Sequence, residues 1–193
     1  SGMILLNGKD IKEYNIDQKA YVSAVFQDSL LLPYSIRENV LMKDCDDDIS
    51  KLYNKTGLNT IVDTYDKGDE QILLRTLSDD GVDLSGGQKQ RLFLARALNK
   101  TCAKLLLLDE PTAQLDAIAE RDLYELYNSE AKDKSSVFIS HRLASTKFCD
   151  RVIFLKNGEI IEEGSHDELI DLAGEYKELF KIQAKNYKEV DNA

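Results

Sequence analysis

Apolar residues in this chain fall into short runs at strand spacing and longer stretches at helical spacing. Residues 3–6 read as a strand, and Asn7-Gly8 after them is a tight-turn signal. The polar stretch 11–18 reads as a short turn or helix. Tyr21-Val22-Ser23-Ala24-Val25-Phe26 is rich in β-branched and aromatic residues and predicts a strand. The run 104–108, four leucines led by Lys104, is flanked by turns and predicts a strand buried on both faces of a parallel sheet. Ser136-Val137-Phe138-Ile139-Ser140 and residues 151–155 predict two more. Asn157-Gly158 turns the last of these back into residues 159–163 as a hairpin.

Helical spacing fills the remainder. Ser35 can cap a helix over 36–41, after the apolar, exposed-looking loop Leu30-Leu31-Leu32-Pro33. Residues 49–55 continue as a helix that Thr56-Gly57 stops, and 58–62 add a short piece. The acids Asp46, Asp47 and Asp48 suit a first helical turn, so they read as structural and not as a metal site. Residues 68–77 read as loop. Ser85 and Gln88 form a capping box, followed by Leu92, Ala95 and Leu98 at helical spacing. Residues 117–127 have helical composition. Ser165 and Glu168 form another capping box before 169–172, with His166 expected to be exposed in that turn and Gly174 to break the helix. A last amphipathic helix over 175–188 puts Tyr176, Leu179, Phe180 and Gln183 on one side, and 191–193 are expected to fray.

A length of 193 residues allows one substantial core with a subdomain. The net charge of −10 argues against a nucleic-acid binder, which would show a basic face, and against docking on anionic lipid. Cys45, Cys102 and Cys149 are widely spaced and odd in number, so they suggest reduced thiols and neither zinc nor a disulfide framework. No apolar run approaches the ~20 residues of a membrane-spanning helix, and no signal peptide is visible.

Two stretches carry chemistry. In Leu84-Ser85-Gly86-Gly87-Gln88, two glycines leave backbone N–H groups bare at a helix N-terminus, which favours a phosphate. Eighteen residues after Arg91, the run Leu105-Leu106-Leu107-Leu108 ends in Asp109-Glu110. Two acids ending a buried strand need partners, and ligands bind at the carboxyl ends of open α/β sheets. Together the stretches resemble the signature motif and Walker B strand of ATP-binding cassette (ABC) ATPases.

The resemblance implies a P-loop NTPase (RecA-like) α/β core with an inserted helical signature subdomain. It divides the chain at 1–28, 29–100 and 101–193. It implies ATP and Mg²⁺ as cofactors, with Asp109 and the Q-loop glutamine Gln27 near the metal. Glu110 would orient or deprotonate the attacking water, and His141 would contact the γ-phosphate and support Glu110. Ser85, Gly86, Gly87, Gln88 and the D-loop residue Asp116 would face nucleotide. Thr76-Leu77-Ser78-Asp79-Asp80-Gly81 is similar to the exporter X-loop, with Asp79 where exporters usually carry Glu. Ser35-Ile36-Arg37-Glu38-Asn39-Val40 and Tyr176-Lys177-Glu178-Leu179-Phe180 also resemble exporter segments. The implied partners are a second nucleotide-binding domain in a head-to-tail dimer and transmembrane domains, not nucleic acid. The implied place is the cytoplasmic face of the plasma membrane. The alternative is a naturally truncated, non-catalytic interaction module or pseudo-ATPase.

One family element is missing from the sequence. No G-x-x-x-x-G-K-[ST] occurs, and Gly8-Lys9 is followed by Asp10. By resemblance the Walker A strand lies between the strands at 136–139 and 151–155, so their edges are expected to face a gap. That gap would be met by collapse of the two strands, by another segment or chain, or by poor stability.

Overall fold

A computed structural model describes residues 2–6, 8–13, 21–42, 49–112, 115, 117–131 and 134–190. Asn7, Cys45, the acids 46–48 and the 191–193 tail, all assigned above, lie outside them. The chain divides into two units, Ser1–Ile139 and Ser140–Ala193.

The first unit is built on a parallel sheet in the order β3 (Val22–Val25), β4 (Leu105–Asp109), β5 (Ser135–Ile139). Near its N-terminus, β1 (Leu5–Leu6) pairs antiparallel with β2 (Lys9–Asp10). Leu106 and Leu108 of β4 are buried beside Ser23 and Val25 of β3. Two long helices cover this face. The first, α4 (Gly86–Asn99), follows three short ones, α1 (Ile36–Leu41), α2 (Ser50–Thr56) and α3 (Asn59–Val62). Its Ala97 carbonyl accepts from the Ser23 hydroxyl at 2.7 Å. The second, α5 (Ala117–Ala131), lays Tyr124 and Tyr127 against Phe138, each with ring centroids 5.6 Å apart.

The opposite face corrects the expectation of a strand buried on both sides. Leu105 and Leu107 are only half-buried, and Val137 and Ile139 are 47% and 55% exposed. The reason is one-sided packing, because α4 and α5 both lie on the other face. The outer edge of β5 pairs with no strand among the described residues, and of the described residues before Tyr21, Leu5–Leu6 pairs with Lys9–Asp10 as β1–β2.

The short helices pack around α4 and begin and end where local chemistry directs. Ser35 and Glu38 form a complete capping box on α1. Gly57 ends α2 at φ +67, and a side chain there would meet Arg91 Nη1 at 2.5 Å. That guanidinium donates to the Thr56 carbonyl at 3.1 Å, which closes the helix end. Asn39 is fully buried. It accepts from the Leu32 N–H at 2.9 Å and donates to the carbonyls of Leu32, Tyr34 and Ser35. Arg96 clamps the same loop, donating to the Asn39 carbonyl at 2.7 Å, to Asn39 Oδ1 and to the Leu30 carbonyl at 3.0 Å. The apolar loop is therefore rigidly tied although Leu30 is exposed.

In the second unit, β6 (Val152–Lys156) pairs antiparallel with β7 (Glu159–Gly164). Asn157 and Gly158 both have positive φ, as a tight hairpin turn requires. Ser165 and Glu168 cap α6 (His166–Leu172), which ends on Ala173 at φ +58 and not at Gly174. Gly174 has another role: a side chain there would collide with Glu162. The last helix is α7 (Glu175–Val190). Leu143, Val152, Leu169 and Tyr176 form the core of this unit. His166 is not the exposed residue expected. It is half-buried, its Nδ1 lies 2.7 Å from the Tyr176 hydroxyl, and its ring centroid is 4.8 Å from that of Phe180. The physical reason is its place at the start of α6, which faces it onto the aromatic side of α7.

Candidate functional site

Asp109 is the last residue of β4, and Glu110 follows with φ +45. The Glu110 N–H donates to the Ile139 carbonyl at 2.9 Å, so the turn is held to β5. A left-handed glutamate costs on the order of 1–3 kcal/mol and persists where its surroundings enforce it. Pro111 and Thr112, immediately after, are buried. Val25 of β3 is in register with Leu108. Gln27, two residues beyond Val25, therefore emerges at the same carboxyl end of the sheet as the two acids. It sits in a turn closed by the Ser29 N–H to the Phe26 carbonyl at 3.1 Å, and it is exposed.

Ser85 caps α4 in both directions. Its Oγ accepts from the Gln88 N–H at 3.3 Å, and its own N–H donates to Gln88 Oε1 at 2.8 Å. Lys89 N–H reaches the Ser85 carbonyl. The N–H groups of Gly86 and Gly87 precede the first intrahelical bond, so they point outward at the positive end of the helix dipole. A Cβ placed on Gly87 would lie 3.8 Å from Leu115 Cδ2. The start of α4 and the segment after Glu110 are thus neighbours.

Gln27, Asp109 and Glu110 share one end of the sheet in the first unit, and Ser85–Gln88 open α4 in the same unit. His141 lies in the second unit, exposed, with its carbonyl accepting from Gln183 Nε2 at 2.7 Å. Asp116 lies outside the described residues. Three further residues beside the acids are absent from the sequence reading. Thr112, Glu120 and Tyr124 are buried together, with oxygens 2.8–3.1 Å apart. The signal was available: Glu120 shares a helical stripe with Leu123, Tyr124 and Tyr127, an acid on an apolar face.

A carboxylate and an amide oxygen at one end of the sheet are hard oxygen donors of the kind that hold Mg²⁺ beside phosphates. Two outward N–H groups at a helix start suit a phosphate oxygen. The donor set therefore fits the metal and the γ-phosphate end of a nucleotide. The base and the β-phosphate find no glycine-rich cradle in this sequence.

Comparison with known proteins decides the family. Residues 1–113 match the family described as ABC transporter. The chain belongs to the ABC transporter family. It is 35% identical over 195 residues to the subtilin transport ATP-binding protein SpaT of Bacillus subtilis, covering 96% of this chain and 31% of that protein. It is 37% identical over 190 residues to the mitochondrial iron-sulfur clusters transporter ATM1 of Saccharomyces cerevisiae, covering 95% and 27%. Its fold matches a bacterial Atm1-family ABC exporter solved with ATP bound, with a TM-score of 0.81, 29% identity, and coverage of 95% of this chain and 32% of that one. The chain thus spans about a third or less of these relatives. It is an ATP-binding domain of the family, similar to those of exporter-type members, with a P-loop NTPase core and a helical subdomain.

Proposed function

We propose that this domain couples ATP hydrolysis to export across a membrane, working head-to-tail with a second nucleotide-binding domain and beneath transmembrane domains. The observation that carries this is the acid pair Asp109-Glu110 at the carboxyl end of β4, with Glu110 in a strained, anchored turn. A non-catalytic module would have no use for that arrangement. Residues 29–100 form the helical subdomain that presents the signature, between core segments 1–28 and 101–193.

Bound ATP and Mg²⁺ supply the transferable γ-phosphoryl group and the neutralisation of its charge. Asp109 and Gln27 would hold the metal side. Glu110 orients the attacking water and takes its proton, and His141 contacts the γ-phosphate side. The Ser85 hydroxyl, the Gly86 and Gly87 N–H groups and Gln88 face the γ-phosphate of the second domain's nucleotide, with Asp116 contributing across the same junction. No helix among the described residues is long and apolar enough to cross a membrane. We place the domain at the cytoplasmic face of the plasma membrane, held there by its transmembrane partners.

The chain by itself is proposed to be inactive, because nothing in its sequence cradles the β-phosphate. The test compares it with a polypeptide joining it in frame to an upstream G-x-x-x-x-G-K-[ST] segment. The joined polypeptide hydrolyses ATP, while the chain alone shows neither turnover nor a calorimetric site as tight as about micromolar, which would be worth roughly 8 kcal/mol. A joined polypeptide that binds ATP without turnover would contradict the ATPase reading. A micromolar site on the chain alone would contradict its inactivity.

A further inference from the structure

Glu120 is a carboxylate with 3% of its surface exposed, on the sheet-facing side of α5. Its Oε1 accepts from the Thr112 hydroxyl at 3.1 Å and from the Tyr124 hydroxyl at 2.9 Å, and those hydroxyls lie 2.8 Å from each other. The triangle ties α5 to a residue two positions after Glu110. The same short segment is held at two more points. The Glu110 N–H is fixed to Ile139 on β5, and the Leu115 N–H donates to the Thr112 carbonyl at 3.1 Å. Leu115 in turn packs against the start of α4 at Gly87. Thr112 is therefore the anchor between the left-handed Glu110 and the glycines of the signature. Glu110, Thr112 and Leu115, the described residues held here, set the backbone around Glu110, so relaxing it into an ordinary conformation works against these contacts.

We propose that Thr112, Glu120 and Tyr124 are positioning residues: a buried clasp that holds Glu110 in its strained, water-directed turn and locks that turn to the signature helix through Leu115. The inference rests on the catalytic reading of Glu110. It assigns to the clasp the orientation of the base, and not the binding of nucleotide.

Two measurements test it. In this chain, amide exchange at Glu110 and Leu115 is compared with exchange in α4, an internal reference within the same unit. Thr112→Val and Tyr124→Phe are expected to speed exchange at Glu110 and Leu115 about fivefold more than in α4, the factor one net hydrogen bond is worth. Thr112→Ser, which keeps the hydroxyl, restores slow exchange. In the polypeptide carrying a Walker A segment, the same two variants lower kcat for ATP by about fivefold or more with KM within about twofold, because orientation and not ground-state binding is lost. Equal acceleration in α4 and at Glu110 would reduce the clasp to general stability and overturn the proposal. So would a change confined to KM. Should Glu110→Gln leave turnover intact, the catalytic reading falls, and with it the positioning role, while the exchange result still reports separately whether the clasp holds the segment.

Discussion

Asn39 and Glu120 are buried polar side chains of the first unit, and each holds a loop that the apolar pattern leaves undetermined. Asn39 lies within a six-residue helix, where an amide has no local reason to be important. Its weight comes from the loop 30–34 folding back over it and from Arg96 arriving from α4. Burial pulls the Arg96 guanidinium below its usual value, so its carbonyl partners matter the more. Asn39→Ala strands the Leu32 N–H and several carbonyls in a buried setting. The expected loss is about 3 kcal/mol, at the upper end for unsatisfied buried groups, or roughly 6–12 °C in Tm for a chain of this size. Thermal unfolding measures it, and a loss below about 1 kcal/mol would contradict the network's role. The place of Asp109 and Glu110 at the end of β4 was legible because four leucines precede them. Asn39 was not, since its partners come from distant parts of the chain.

At the scale of elements, capping chemistry was the most readable feature. All three boxes, at Ser35, Ser85 and Ser165, close in both directions, because they depend only on residues three apart. The Asn157-Gly158 turn was readable for the same reason. The end of α6 was not: Ala173 takes the left-handed position, and Gly174 lies close against the Glu162 carboxyl, a contact that no local pattern reveals. Nor was the environment of His166, which depends on α7. The Ser165 box also titrates. Bonds from the Ser165 backbone N–H, and then its hydroxyl, hold the Glu168 carboxyl below its ordinary value of 4.5. A carboxyl depressed in the folded state contributes stability above its unfolded value and loses it as pH falls through the folded one. The Ser165 amide shift is expected to titrate with a midpoint below 4.5, and Glu168→Gln to abolish that transition. A midpoint at or above the ordinary value would show that the box is not made in solution.

For the molecule as a whole, the sequence indicated a P-loop core with an inserted helical part, and the family and fold comparisons agree. What it did not indicate is how unevenly the sheet is covered. A run of four leucines reads as buried on both faces, yet both covering helices lie on one, and Val137 and Ile139 stay largely exposed beside an edge of β5 without a strand partner among the described residues. The same limit applies to function. The signature at the start of α4 has two outward N–H groups and no nucleotide cradle in its own sequence, so its proposed use is on another domain's ATP. That claim is tested most directly by multi-angle light scattering during size exclusion of the Glu110→Gln variant, in a polypeptide that carries a Walker A segment ahead of this chain. With ATP and Mg²⁺ it is expected to elute as a dimer, with ADP as a monomer, and the further change Ser85→Arg is expected to return it to monomer with ATP. A Glu110→Gln protein that binds ATP and remains monomeric would contradict the head-to-tail account.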